Sequence, residues 1–353
     1  MERASERKLV VAQDGRGDFS TVQDAIDAVP LANRDRIVIE ILPGVYRQPV
    51  YVPKTKDFIT LRGFCAEDTI LTCKNTATCI EHHQAARVIG TGTFGCGTVI
   101  VEGHDFIAEG ITFENASPQG SGQAVAIRVT ADRCAFYSCR FLGWQDTAYL
   151  HYGKHYLRDC YIEGSVDFIF GNATALLENC HIHCKSQGFI TAHSRKSAEE
   201  STGYVFLRIL RKTWSGMLVL ICCWIDHVSA IGLLNAAEVL HGEHCVSSLA
   251  VEETVACILD GHGHHLAEWY LHIHGWMHAS NQRAGITGIN LKMKEVLASM
   301  NTGPGSDPSK RVHWARQLMD DEAAQFVAHY FVDPDQQRPW LKNKLSIKLP
   351  FSA

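Results

Sequence analysis

The chain has 353 residues, 46% hydrophobic and 20% charged, with a net charge of −5. This is the composition of a soluble globular protein with one large domain or two ordinary ones. The acidic balance and the lack of any Lys/Arg run give no reason to expect nucleic acid, and nothing suggests a membrane span. Thirteen cysteines is an odd count, without a CxxC pair for a zinc ribbon and without the spacing of a small disulfide scaffold. Met1 to Lys8 is charged and has no apolar core, so no secretory signal is expected.

In chain order, Leu9 to Ala12 reads as a short strand and Gly15-Arg16-Gly17-Asp18 as a turn. Ser20 is then the expected cap of a helix with Val22, Ala25, Ile26 and Val29 on one face, stopped by Pro30. So short a helix buries little alone, and its expected role is to plug one end of a β structure whose edge would otherwise lie open. Ile37 to Leu42 is apolar except for Glu40 and is closed by Pro43-Gly44.

From there to Arg208 the text repeats short strands and Gly/Asn/Asp turns, with no long helix. Cys139-Arg140-Phe141, Cys160-Tyr161-Ile162 and Cys180-His181-Ile182 follow one another at intervals of 21 and 20 residues. Ile111-Thr112-Phe113 is a looser member 28 residues upstream. Such a period with strands alone predicts a β-solenoid, each coil burying its inward residues on the next. Cys139, Cys160 and Cys180 should then stack as an inward ladder of small hydrophobes.

Residues 209–302 break the period. Met217 to Ile225 is an apolar run, Ala230 to Leu240 fits a helix, and nine histidines lie between His227 and His278. The HxHH and HxH spacings at His262 to His278 are too common to argue for a metal. After Gly303-Pro304-Gly305 the text changes again. Met319 to Phe331 reads as an amphipathic helix with Asp320, Asp321 and Glu322 in its first turn, which suits the helix dipole. The expected divisions are a β-helix over 9–208, an aberrant segment over 209–302, irregular or helical, and a tail over 303–353.

The chemistry lies in three polar interruptions of the solenoid. Asp167 stands alone in Ile162-Glu163-Gly164-Ser165-Val166-Asp167-Phe168-Ile169-Phe170-Gly171, where an unpaired buried charge is costly. Asp146 in Trp144-Gln145-Asp146-Thr147 precedes it by 21 residues, and Gln123 precedes Gln145 by 22. Residues one coil apart lie on neighbouring strands, about 4.8 Å apart. Gln123, Gln145, Asp146 and Asp167 should therefore meet on one outer face. Two carboxylates so close cannot both ionise easily, so one stays protonated beside an ionised base or nucleophile. Amide NH₂ groups are neutral donors for an oxyanion. The set suggests acyl transfer on an ester, with turn capping by the two aspartates as the plainer alternative. Phe94, Trp144, Tyr149 and Phe170 are candidates for stacking on sugar rings.

These stretches resemble the plant pectinesterases (pectin methylesterases), a family of right-handed parallel β-helices, and most of all the subgroup without a pro-region. The matching motifs are Gly122-Gln123-Ala124-Val125-Ala126-Ile127-Arg128, Gly143-Trp144-Gln145-Asp146-Thr147 and Gly164 to Gly171. Gly15 to Phe19, Pro43-Gly44-Val45-Tyr46 and Thr91-Gly92-Thr93-Phe94 match as well. The resemblance runs from about Leu9 to Arg208 and resumes near Gly303. It implies hydrolysis of pectin methyl esters to pectate and methanol, with Asp167 as nucleophile and Asp146 as acid, then base. Gln123 and Gln145 would be the oxyanion donors, and Phe94, Tyr149 and Phe170 would bind sugar. No cofactor or metal is implied. Partners would be methyl-esterified homogalacturonan and a proteinaceous pectinesterase inhibitor, and the chain would be a monomer.

The chain also departs from the family. After Gly203-Tyr204-Val205-Phe206-Leu207-Arg208 the family continues to Leu-Gly-Arg-Pro-Trp, whose Arg holds the nucleophile; no such motif occurs here. Residues 209–302 therefore read as foreign text in place of the later coils. The alternative function is an impaired or inert pectin-binding product. Pectate lyase and polygalacturonase chemistry fit the Gln-Asp-Asp set poorly, since the first needs a calcium site and the second a wider carboxylate pair. The substrate implies the cell wall, while the missing signal leaves a cytoplasmic product as the alternative. Asn115-Ala116-Ser117 and Asn172-Ala173-Thr174 are glycosylation triplets.

Overall fold

The computed structural model describes residues 7–207 apart from 187 and 197–199, six later strands between Leu210 and Gln317, and residues 331–341 apart from 336. The periodic text winds into three parallel sheets, a parallel β-helix. The first sheet has eight strands, from Arg7–Val11 through Ile37–Ile41 and Cys134–Tyr137 to Gly203–Leu207. The second has seven, from Gly44–Tyr46 through Arg140–Leu142, Tyr161–Gly164 and His181–Cys184 to Leu210–Thr213. The third has six, from Val50–Val52 through Ile127–Thr130, Ala148–Tyr152 and Ile169–Gly171 to Thr191–His193.

The repeat interval becomes the sheet register. Phe113 pairs with Phe141, Phe141 with Ile162, and Ile162 with Ile182. All four are buried in one core, and the Phe113 and Phe141 rings stack at 5.5 Å. The cysteine ladder is present: Cys139, Cys160 and Cys180 are buried, and burial with the two neighbouring thiols pushes the Cys160 thiol well up. The nine cysteines from Cys65 to Cys184 form no disulfide. The ladder thus packs as thiols, without a covalent link.

Four successive passages from the first sheet to the second each turn on one residue in left-handed conformation. Gly110, Ser138, Asp159 and Asn179 take φ of 59°, 49°, 54° and 51° in successive coils. Asp and Asn tolerate this region better than other side-chain-bearing residues, which is why the repeat is punctuated by them.

The first helix covers Val22–Asp27, and its cap is Thr21 rather than the expected Ser20. The Thr21 side chain accepts a bond from the Asp24 amide at 3.1 Å. Val22, Ala25 and Ile26 are buried against strands Arg7–Val11, Ile37–Ile41 and Val50–Val52, so the helix plugs the first end as expected. At the other end of the chain, Val332, Trp340 and Leu341 pack on Tyr137, Tyr156, Leu176 and Val205, outside the first sheet. Asp333 fixes this tail by accepting the amides of Trp340 and Leu341, both at 3.0 Å. The expected helix over Met319 to Phe331 lies outside the described residues except for Phe331.

Residues 209–302 differ from the expectation where they are described. Leu210–Thr213 still pairs in register with His181–Cys184, so the stack runs one strand past Arg208. Val219–Ile225 and Val228–Leu234 form an antiparallel pair, as do Thr254–Leu259 and Leu297–Thr302. The expected helix from Ala230 is thus strand through Leu234. Apolar runs rich in β-branched residues satisfy both periods, and strand pairing decided between them. The histidines from His262 to His278 lie outside the described residues.

The first glycosylation triplet is closed, while Asn172 in the second is half-buried. Asn115 is buried, and its Nδ2 donates to the carbonyls of Asn75 at 2.7 Å and Val125 at 3.1 Å. Nδ2 of Asn172 donates to Glu200 at 3.0 Å.

Candidate active site

The passage from the second sheet to the third carries the two aspartates. Asp146 and Asp167 both hold the left-handed conformation, with φ of 64° and 49°. The Asp146 amide donates to the Val166 carbonyl at 3.0 Å, and Gln145 bridges Val166 in parallel. One coil earlier, the Ala124 amide donates to the Gln145 carbonyl at 3.1 Å. This ladder sets Asp146 level with Asp167, and Gln123 level with Gln145. The four residues expected to meet are in coil register.

Glycines make room for these turns. A Cβ on Gly164 would lie 2.2 Å from Cβ of Phe168, and one on Gly143 would lie 2.6 Å from Oγ1 of Thr147. Thr147 and Phe168 follow the two aspartates and are fully buried. Oγ1 of Thr147 also donates to the Glu163 carbonyl at 2.9 Å, tying one turn to the next. Each aspartate is thus held by a buried neighbour and a glycine that lets that neighbour in.

Burial sets the electrostatics. Asp146 is 7% exposed. Desolvation pushes its pKa up to about 8, with the Asp167 charge adding to the rise. Asp167 is less buried, and desolvation raises it to about 6. Its Oδ1 is buried without a hydrogen-bond partner among the described residues. Nor does any described Lys or Arg form an ion pair with it; the family arginine has no described counterpart. At neutral pH the pair therefore holds a protonated Asp146 and an ionised Asp167, an acid beside a carboxylate. Gln123 is exposed and Gln145 half-buried. No hydrogen bond of either side-chain amide occurs among the described residues, which leaves their donors to a ligand.

Phe94, Tyr149 and Phe170 form one cluster on the third sheet. Tyr149 pairs with Phe170 in the ladder, and their rings stack at 4.2 Å and 16°. Phe94 comes from the short helix Gly92–Gly95 and meets Tyr149 edge-on at 6.3 Å. Burial raises both the Tyr149 phenol and the Cys96 thiol, and each also feels Asp146 nearby. Cys96 ends the Phe94 helix, so the cluster borders the carboxylates. Among the described residues Trp144 makes no ring contact with this cluster. Nζ of Lys185 sits 3.9 Å from its centroid and donates to Glu163 at 2.8 Å and to the Gly143 carbonyl at 3.0 Å.

Sequence reading missed Arg128, Lys185 and His151. Arg128 had a signal, a lone charge in the apolar run Ala124-Val125-Ala126-Ile127-Arg128-Val129. That is the criterion by which Asp167 stood out. No group of three or more possible metal ligands occurs among the described residues.

Comparison with known proteins places this geometry. A family model for pectinesterase matches residues 8–213. Pectinesterase 31 of Arabidopsis thaliana is 58% identical over 99% of this chain and 100% of its own. Among solved structures, the pectin methylesterase from carrot superposes with a TM-score of 0.55 at 37% identity, covering 61% of this chain and 66% of that one. The pectin methylesterase PemA from Erwinia chrysanthemi superposes with a TM-score of 0.62 over 95% of this chain and 99% of its own, at 20% identity, a likeness of fold alone. These likenesses agree with a right-handed parallel β-helix.

Proposed function

The chain belongs to the pectinesterase family, and from that membership we propose that it hydrolyses methyl esters of polygalacturonate, giving pectate and methanol, through Asp167 and Asp146. The observation that carries the roles is the matched pair of left-handed aspartates with separated pKa values, Asp167 near 6 and Asp146 near 8. The more acidic Asp167 is ionised at neutral pH and serves as nucleophile. The less acidic Asp146 keeps a proton to give away.

In this reading an oxygen of Asp167 attacks the ester carbonyl carbon of a galacturonate residue. The carbonyl oxygen gains negative charge and is held by the amide donors of Gln123 and Gln145, which stabilise it without neutralising Asp167. When the carbon–methoxy bond breaks, Asp146 protonates the leaving oxygen and methanol departs. The intermediate is an anhydride between Asp167 and the sugar carboxyl. Asp146, now ionised, takes a proton from water as the water attacks the anhydride. Galacturonate and free Asp167 result, and Asp146 is again protonated. Phe94, Tyr149 and Phe170 supply apolar ring surface beside the carboxylates for the sugar chain. The substrate places the action at the cell wall.

The test is product analysis on highly methylated polygalacturonate. The reading expects one free carboxylate for each methanol released, with no loss of chain length and no unsaturated ends. Chain shortening or unsaturated ends in place of methanol would assign the site to another reaction.

A further inference from the structure

Arg128 carries its charge buried beside the Phe94, Tyr149 and Phe170 cluster, and the reaction as described does not use it. Its side chain is 0% exposed. It stands in the same outward column of the third sheet as Tyr149, which pairs with it, and Phe170, which pairs with Tyr149. The guanidinium is clamped from below. Nη2 donates to Glu102 at 2.9 Å and to the Ile89 carbonyl at 3.3 Å, and Nη1 donates to Oγ1 of Thr130 at 3.1 Å. Glu102 is itself held by the Tyr51 hydroxyl, which donates at 2.8 Å. On the other side, the guanidinium carbon lies 3.6 Å from the centroid of the Phe94 ring.

The Phe94 ring is thus fixed from several directions. Arg128 covers one face, and His151 meets it edge-on at 5.1 Å, as Tyr149 does at 6.3 Å. Gly90 closes the remaining side. A Cβ there would lie 2.4 Å from Cδ1 of Phe94, so only glycine lets the ring settle. Gly90 and Gly92 also hold φ of 88° and 60°, which lets the chain double back above the sheet.

A buried ion pair is a poor device for stability, since an apolar pair of like volume usually does as well. Its merit is geometry: a planar guanidinium held at once by Glu102, the Ile89 carbonyl and Thr130 presents a flat cationic face at a fixed height, and an aromatic ring is drawn to that face. Phe94 has no strand to hold it, only a four-residue helix. Tyr149 and Phe170 have the sheet.

We propose that Arg128, clamped by Glu102, is a positioning residue that holds Phe94 in line with Tyr149 and Phe170, so that the three rings form one surface for the sugar chain. This rests on the reading of those rings as the sugar-binding wall. Arg128 touches no reacting atom, so its loss should weaken capture of the substrate more than the chemical step.

The experiment pairs Arg128→Met with Glu102→Gln, which removes both charges at nearly constant volume and leaves no buried ion alone. Arg128→Lys keeps the charge and loses the planar face that lies on Phe94. Kinetics on a methyl-esterified oligogalacturonate are measured beside fluorine NMR of para-fluorophenylalanine placed at position 94. The double variant should raise KM about tenfold while kcat falls less than about threefold, a split that marks lost binding. Its fluorine line should move or broaden at an unchanged melting temperature. Arg128→Lys should recover part of both effects. An unchanged KM together with an unchanged fluorine line overturns the proposal. A parent chain that turns over no ester overturns the sugar-binding reading instead, while the fluorine line still decides whether Arg128 holds the ring.

Discussion

Replacing Asp146 by Asn should stabilise the folded chain, and by more as the pH rises. Burial holds the Asp146 carboxyl near pKa 8 against an ordinary value of 3.8. The folded protein therefore keeps a proton that the unfolded chain gives up. The stability linked to this group is full below pH 3.8 and declines as pH climbs toward 8, because only the unfolded chain gains by ionising. At about 1.36 kcal/mol per pKa unit, the decline amounts to about 4 kcal/mol by pH 7, and about 2–3 kcal/mol of it accrues above pH 5. An amide of the same shape does not titrate and escapes this loss. It also suits the backbone, since Asn tolerates the left-handed φ of 64° that Asp146 adopts. Asp146→Ala would add about 1–2 kcal/mol of strain at that φ and is the worse probe. The assay is urea unfolding of the parent and Asp146→Asn at pH 5 and pH 8, compared at constant m. The variant should lead at both, with a much wider gap at pH 8. Equal stabilities at pH 8, or a gap that narrows with pH, would refute the burial argument and with it the assignment of Asp146 as the acid.

Other outcomes follow from the same geometry. The rate of methanol release against pH should be bell-shaped, rising as Asp167 ionises near 6 and falling as Asp146 loses its proton near 8; a rate that keeps rising beyond pH 9 would exclude an acid role for Asp146. Gln145→Leu should lower kcat by about 10²–10³-fold if its amide holds the oxyanion, with a smaller change in oligogalacturonate binding measured by calorimetry. Phe141→Ala removes a fully buried ring from the stack with Phe113 and Phe136. It should cost about 3–5 kcal/mol in urea unfolding, with the specific activity of the folded fraction preserved.

The site was legible in the sequence because a solenoid turns spacing into contact. Each coil pairs with the next, so the 21 residues from Asp146 to Asp167 are also a register, and Gln123 and Gln145 obey the same rule. The cysteine ladder was readable for the same reason. Where coils are interrupted the rule is silent. The loop that carries Phe94 breaks the period, so nothing in the spacing places its ring over Arg128. The cap at Thr21 instead of Ser20 was decided by which hydroxyl reaches the Asp24 amide. Strand Val228–Leu234 could not be told from a helix by its apolar residues, because partner pairing, not periodicity, sets its state. Continuation of the second sheet through Leu210–Thr213 was hidden because the motif reading ended at Arg208.

The most direct test of the central claim is methanol release from highly methylated polygalacturonate at pH 7 by the purified chain and by Asp167→Asn. Asn fills the same volume and accepts the left-handed φ of 49°, so the variant should fold. The account predicts steady methanol release from the parent and none above background from a folded Asp167→Asn. Release by the variant at the parent's rate would show that another group attacks the ester, and no release by the parent would contradict the assigned function itself.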